Sequence, residues 1–350
     1  MGGTIDDEVK PGRHWWEYRP VSHAAAYAEM DETNLAAVSD VNEEKLTRFA
    51  DRYAVPAEHR YTDYKQMVAV EDLDILSVTT PADSHAAITV YAAEQGVSGI
   101  YCEKAMACSM TEADAMREAC RSGRVVFNLG TSRRYHPGFG KMREIIESGR
   151  IGKQEILVFR GSLGPLLHSG SHVFDTLLYL LGDPELESVQ GRLRTIVYPN
   201  DVVGAPRYDA LQNRFCGRIP FECDAGIDHA TIVFKSGLRA QLTRVESCAE
   251  YEVFGSDGSI AFNNFNQGWI RPALANGSID REPFPAFEPE SFTKCIIRNL
   301  IESIETGTLG HLEVSHRGME IAMALAQSHV EGGRLVRIPM SNRSLLIPNH

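Results

Sequence analysis

The sequence predicts an α/β protein with two parts: a doubly wound parallel sheet, then an α+β domain on a mostly antiparallel sheet. Three observations predict it. Over residues 1–129, short β-rich runs alternate with helical patterns. Those runs are apolar along their length, as strands covered on both faces are. Beyond residue 130, strand-like stretches follow one another across short turn sequences, which makes neighbouring strands antiparallel.

In chain order, NLAAVSD (34–40), LDILSVTT (73–80), GIYCE (99–103) and RVVFNLG (124–130) have strand composition. Between them, NEEKLTRFADRYA (42–54), DSHAAITVYAAEQG (83–96) and TEADAMREACRSG (111–123) have helical patterns, two of them ending at glycine. Asp83 and Thr111 stand where N-caps belong, and Asp114 follows Thr111 by three, close to a capping box. Right-handed crossovers between such strands give a Rossmann-type, nucleotide-binding domain over 1–129.

The second domain, 130–350, opens with a helix at 136–149, a strand at 153–162 and a helix at 171–182. Strand-like stretches follow at 230–237, 238–247, 251–258 and 259–264, with KSG and SDG as turns. Helical patterns near 290–305 and 315–329 close it.

At 350 residues, length alone favours two domains. A net charge of −12 argues against nucleic acid or an anionic membrane as partner, since both demand a basic surface. The cysteines number seven, an odd count without a CxxC pair, so neither a disulfide framework nor a structural zinc site is expected. No apolar run approaches a membrane span and the N-terminus has no secretory pattern, so a cytoplasmic protein is expected.

Several stretches together resemble the glucose–fructose oxidoreductase/inositol dehydrogenase (Gfo/Idh/MocA) family. TTPADSHAAITVYAAEQGVSGIYCEKAMACSMTEADAM (79–116) is similar to its TPxxxH helix and CEKP strand end. TSRRYHPGFGKMREIIESGRIGK (131–153) resembles its arginine-rich crossover, and LLHSGSHVFDTLLYLLGD (166–183) its DxGxHxxD segment. YEVFGSDGSIAF resembles a strand pair of its C-terminal sheet. The resemblance implies NAD(P)-dependent hydride transfer on a sugar, cyclitol or related polyol, and a homo-oligomer formed through the C-terminal sheet.

The family's first strand ends in GxGxxG. Against that pattern, MGG is read as the tail of the motif, with Gly2 as its third glycine and the strand and first two glycines absent. These glycines let the backbone approach a pyrophosphate at the helix N-terminus. The other reading is a flexible start without a motif. WWEY falls in an insertion (4–20) where its tryptophans either cover the cofactor phosphates or pin a loop, and they are not counted as site residues.

Candidate site residues then follow. Asp40 ends the second family strand; a carboxylate there accepts from ribose hydroxyls and repels a 2′-phosphate, which favours NAD over NADP, while capping of the next helix is its ordinary use. Thr79, Thr80 and Pro81 end the next strand, beyond which ligands of open parallel sheets lie, and His85 follows in the first turn of the helix. Glu103 and Lys104 are opposite charges closing an apolar strand. The resemblance places Glu103 near the nicotinamide ribose and Lys104 on the reacting oxygen, where a fixed ammonium stabilises a developing alkoxide. Ala105 replaces the family's proline, so Lys104 is expected to be held less firmly.

His168, His172 and Asp175 are spaced four and three apart and, if helical, share a face. The resemblance makes His172 the proton acceptor, a role that suits imidazole near neutrality. His168 stands where most members carry aspartate, which removes an anion that would support His172. Arg133 and Arg134 are either anion-binding or structural. Two competing functions remain: an inactive relative kept for binding or oligomerisation, favoured by Ala105, His168 and the missing strand; and a metal hydrolase using HxxxHxxD, disfavoured because no HExxH occurs. No metal is expected.

Overall fold

The computed structural model describes residues 16–194, 224–247, 249–263, 266–272 and 281–348. Residues 1–15, and Gly2 with them, lie outside the described part. The chain forms two compact units. One gathers the chain to Met106 with Asp114–Ser132 and Pro289–Glu313; the other gathers Ala107–Ala113, Arg133–Glu288 and Val314–His350.

The first unit begins with α1 (His23–Glu29), capped by Ser22, whose hydroxyl accepts from the Ala25 N–H. Strand β1 (Val38–Ser39) is shorter than the run 34–40 promised. Helix α2 (Glu43–Arg52) starts at Asn42, which accepts from the Lys45 N–H at 2.9 Å, and carries acids in its first turn and Arg52 in its last, as the helix dipole favours. Strand β2 (Arg60–Tyr61), helix α3 (Tyr64–Val70) capped by Asp63, strand β3 (Ile75–Val78), helix α4 (Ala82–Glu94) and strand β4 (Gly99–Cys102) follow. Helix α5 (Met110–Gly123) and strand β5 (Val126–Leu129) complete the alternation. All pairings are parallel: β1 with β2, and β3–β4–β5 in that order. Among the described residues the parallel sheet is thus in two pieces.

Two caps differ from expectation. Pro81 takes the N-cap position of α4, and Asp83 lies in its first turn. Ser109 caps α5: its hydroxyl accepts from the Glu112 N–H at 3.2 Å while the Glu112 carboxylate accepts from the Cys108 N–H at 2.9 Å. Thr111 instead sends its N–H and hydroxyl to the Arg343 carbonyl. A capping box two residues upstream satisfies the helix start better than Thr111 with the shorter Asp114.

In the second unit, α6 (Pro137–Glu147) has proline in its first turn and is capped by His136, whose Nδ1 accepts from the Gly138 N–H. Strand β6 (Gln154–Gly161), helix α7 (Gly170–Leu180) and strand β7 (Leu186–Arg194) precede β8 (Gly226–Phe234), β9 (Arg239–Arg244), β10 (Ala249–Gly255), β11 (Gly258–Asn263), β12 (Gly268–Pro272) and β13 (Glu282–Pro283). With β14 (Val336–Arg337) they form one sheet in the order β13-β12-β11-β10-β6-β9-β8-β7-β14. Only β6 and β9 pair in parallel. The KSG turn joins β8 to β9, where Gly237 supplies φ +86°. Alternation does the rest: Leu157 and Phe159 oppose Val253 and Tyr251 on the buried face, while Ile156, Val158 and Arg160 oppose Phe254, Glu252 and Glu250 on the other.

The last helices are α8 (Phe292–Thr306) and α9 (Leu312–Val330). The sequence assigned 290–305 to the second domain, yet α8 packs on β4 and β5 of the first unit. Gly99 makes room for it, since a Cβ there would lie 3.0 Å from Ile304 Cδ1. Buried Asn128 of β5 anchors it, donating to Asn299 Oδ1 at 2.9 Å and accepting from the His311 N–H at 3.0 Å.

Candidate active site

The predicted residues of the first unit collect at the carboxyl ends of its parallel strands. Asp40 follows β1 and is half-buried; its Oδ1 accepts from the Asn42 N–H at 2.8 Å. Asn42, not Asp40, is the cap of α2. Thr79, Thr80 and Pro81 follow β3, with Thr80 and Pro81 exposed. Ser84 Oγ closes this turn, 2.7 Å from Thr80 Oγ1 and 2.8 Å from the Pro81 carbonyl.

His85 has no exposed surface. Its Nδ1 lies 2.8 Å from the Ala105 carbonyl and its Nε2 2.8 Å from the Thr80 carbonyl. The neutral ring donates to one of these carbonyls and only a protonated ring to both, and the side chain ties the loop after β3 to the loop after β4. Burial lowers its pKa against the opposing pull of these carbonyls and of Glu103.

Glu103 and Lys104 leave β4 half-buried. Glu103 Oε2 accepts from the Lys104 N–H at 3.2 Å, and Oε1 lies 3.2 Å from His23 Nε2. The glycine ending β5 shapes the same spot: a Cβ on Gly130 would come within 3.2 Å of the Glu103 carboxylate. The peptide joining Lys104 to Ala105 is cis.

His23, Ser77, Tyr27 and Gly130 were not legible as site residues. His23 and Glu103 are 80 positions apart, and α1 was not predicted, so no local pattern joins them. The only local mark was Ser22, a cap residue just ahead of HAAAYAE.

In the second unit, His172 lies in the first turn of α7 and is half-buried. His168 precedes the helix and is exposed, so the two histidines and Asp175 do not line one helical face as expected. The Leu167 and His168 N–H groups donate to the buried Asp224 carboxylate at 2.9 and 2.8 Å, which fixes the entry to α7. Asp175 is held by Arg134, which also binds Asp183. The Arg133 guanidinium donates to the Tyr251 hydroxyl at 3.1 Å. Arg134 thus serves a structural role within this unit, and Arg133 is tied to its sheet by a hydrogen bond.

The donor set at the first unit's strand ends fits a nicotinamide dinucleotide. Asp40 offers a carboxylate after β1, Thr79 and Thr80 offer hydroxyls after β3, and Glu103 offers a carboxylate after β4, groups of the kind that take up such a cofactor's hydroxyls and polar edges. Among the described residues no group of three metal-ligating side chains comes together. No helix among them is long and apolar enough to cross a membrane.

Residues 19–131 match the model of the Gfo/Idh/MocA oxidoreductase family with its NAD-binding Rossmann fold. The chain is 25% identical over 281 residues, three quarters of each protein, to the uncharacterized oxidoreductase YrbE of Bacillus subtilis. It is 27% identical over 180 residues to the myo-inositol 2-dehydrogenase of Thermotoga maritima, an alignment covering 48% of this chain and 53% of that enzyme. A solved levoglucosan dehydrogenase, in complex with NADH and levoglucosan, superposes with a TM-score of 0.69 at 20% identity, over 91% of this chain and 96% of that one.

Proposed function

We propose that the chain, whose residues 19–131 match the Gfo/Idh/MocA oxidoreductase family, is a nicotinamide-dependent dehydrogenase of a sugar, cyclitol or similar polyhydroxylated molecule, acting on a CH–OH group. The observation that carries this reading is the Glu103–Lys104 turn at the carboxyl end of β4. There one carboxylate is fastened to both His23 and the Lys104 backbone, so the lysine leaves the rim from a fixed point.

In this reading a bound nicotinamide ring takes or gives the hydride. The Lys104 ammonium stabilises negative charge on the substrate's carbinol oxygen. His172 accepts the hydroxyl proton at an imidazole nitrogen. His168, beside it in sequence, contacts the polyol. Thr79, Thr80 and Pro81 line the cofactor, Glu103 meets the nicotinamide ribose, and Asp40 selects NAD over NADP by repelling a 2′-phosphate. We assign self-association to the sheet face bearing Ile156, Val158 and Phe254, which light scattering in solution would test.

Titration with NADH and NADPH, followed by fluorescence, tests the cofactor; a panel of cyclitols and sugars, with nicotinamide reduction as readout, tests the reaction. Turnover on at least one polyol is expected, lowered about 100- to 1,000-fold in Lys104→Met. A folded chain that binds neither nucleotide and reduces none with any polyol would end the proposal.

A further inference from the structure

A line of polar side chains runs from the interior of the first unit to its rim. His23, 6% exposed, stacks on Tyr101 with ring centroids 3.7 Å apart and 24° between planes. Its Nε2 lies 3.2 Å from Glu103 Oε1 and its Nδ1 3.0 Å from Ser77 Oγ. Ser77 Oγ lies 3.0 Å from the hydroxyl of buried Tyr27.

Elementary hydrogen-bond chemistry gives this line a direction. A carboxylate accepts and does not donate, so the proton of the neutral ring belongs on Nε2. The other nitrogen then accepts, which turns the Ser77 O–H toward it. Ser77 Oγ is left to accept from the Tyr27 O–H. Burial pushes the Tyr27 hydroxyl up to about 12, against the pull of Ser77, so it stays a donor across neutral pH. Each donor in the line has one acceptor, and the ring is held at both nitrogens and on its face.

We propose that His23 is a positioning residue: in the Nε2–H tautomer set by the carboxylate and accommodated by Ser77, it holds the Glu103 carboxylate in the orientation that also receives the Lys104 N–H. The proposal rests on the dehydrogenase reading, in which Glu103 and Lys104 face cofactor and substrate. With His23 removed, the carboxylate loses its bond at Oε1, and beside Gly130 no Cβ stands in the way of its turning. The Lys104 N–H then meets an acceptor of less defined orientation.

The test uses two substitutions and one spectrum. His23→Phe keeps the ring stack on Tyr101 and removes both hydrogen bonds; kcat is expected to fall by up to about 100-fold, as small misplacements of reacting groups do, with KM for the polyol little changed. His23→Gln, whose amide can still donate toward Glu103, is expected to recover part of that loss. A residue that is merely structural would lower the melting temperature without this split or this rescue. Nitrogen-15 spectra of the wild-type imidazole should show Nε2 protonated and Nδ1 bare. His23→Phe with kcat within twofold of wild type, or a ring protonated on Nδ1 alone, overturns the proposal. A wild-type chain inert toward every polyol refutes the dehydrogenase reading instead, and the tautomer then decides this one separately.

Discussion

The Arg134 guanidinium closes on Asp175 inside the second unit, with Nε and Nη2 at 3.0 and 2.9 Å from Oδ1 and the two side chains 4% and 6% exposed. Its other face meets both oxygens of Asp183 at 2.9 and 3.1 Å. An aspartate that sequence spacing placed on one face with His168 and His172 is thus committed to an arginine from the 3-10 turn before α6.

Arg134→Met should therefore destabilise the protein by about 3–5 kcal/mol, because it leaves a buried carboxylate uncompensated. Chemical denaturation measures this. A double substitution Arg134→Met with Asp175→Leu should recover much of the loss, since a matched apolar pair replaces the ions.

Acidification should weaken the first unit through His85. Burial lowers its pKa in the folded state relative to the unfolded chain. Its contribution is fully present above the unfolded value of about 6.5 and is lost as pH falls toward and through the lower folded value, because the unfolded chain binds the proton first. Stability measured from neutral to mildly acidic pH should fall with pH, and His85→Gln should flatten that slope. An unchanged slope would mean the imidazole is not the group responsible.

Gly130→Ala probes the Glu103 setting directly. The added methyl would stand 3.2 Å from the carboxylate, closer than ordinary contact, so the acid must shift by a few tenths of an ångström. We expect weaker NADH binding and lower turnover with little change in melting temperature. Full activity in this variant would show that the carboxylate tolerates displacement.

In the proposed reading, in which Asp40 selects NAD, Asp40→Ser should strengthen NADPH binding relative to NADH. The substitution removes the charge that repels a 2′-phosphate but keeps a hydroxyl that can accept from Asn42. The ratio of the two dissociation constants is the measurement; an unchanged ratio would move cofactor choice elsewhere.

Much of the architecture was legible because it rests on local rules. Periodicity and composition located α2, α4, α5, α6, α7, α8 and α9 to within a few residues. Apolar runs located β3, β4 and β5, and glycine-bearing turns located β8 to β11. The short elements α1, α3, β2 and β12 to β14 escaped, since a few residues carry little pattern; β7, nine residues long, escaped because Gly191 and exposed Glu187, Gln190 and Arg192 break up its apolar positions. Asp40, Thr79, Thr80, Pro81, Glu103 and Lys104 were expected at strand ends, and they do follow β1, β3 and β4.

The sequence by itself determined the two-part α/β character, the polar residues that close the parallel strands and the resemblance to a dehydrogenase family, because each depends on near neighbours along the chain. Only the tertiary structure decided that α8 packs on β4 and β5, that Asp175 answers to Arg134, that His85 ties two loops, and that His23 grips Glu103. Those choices depend on which distant groups are buried together. A buried donor or acceptor must find a partner wherever the fold supplies one, and sequence spacing carries no record of which partner that is.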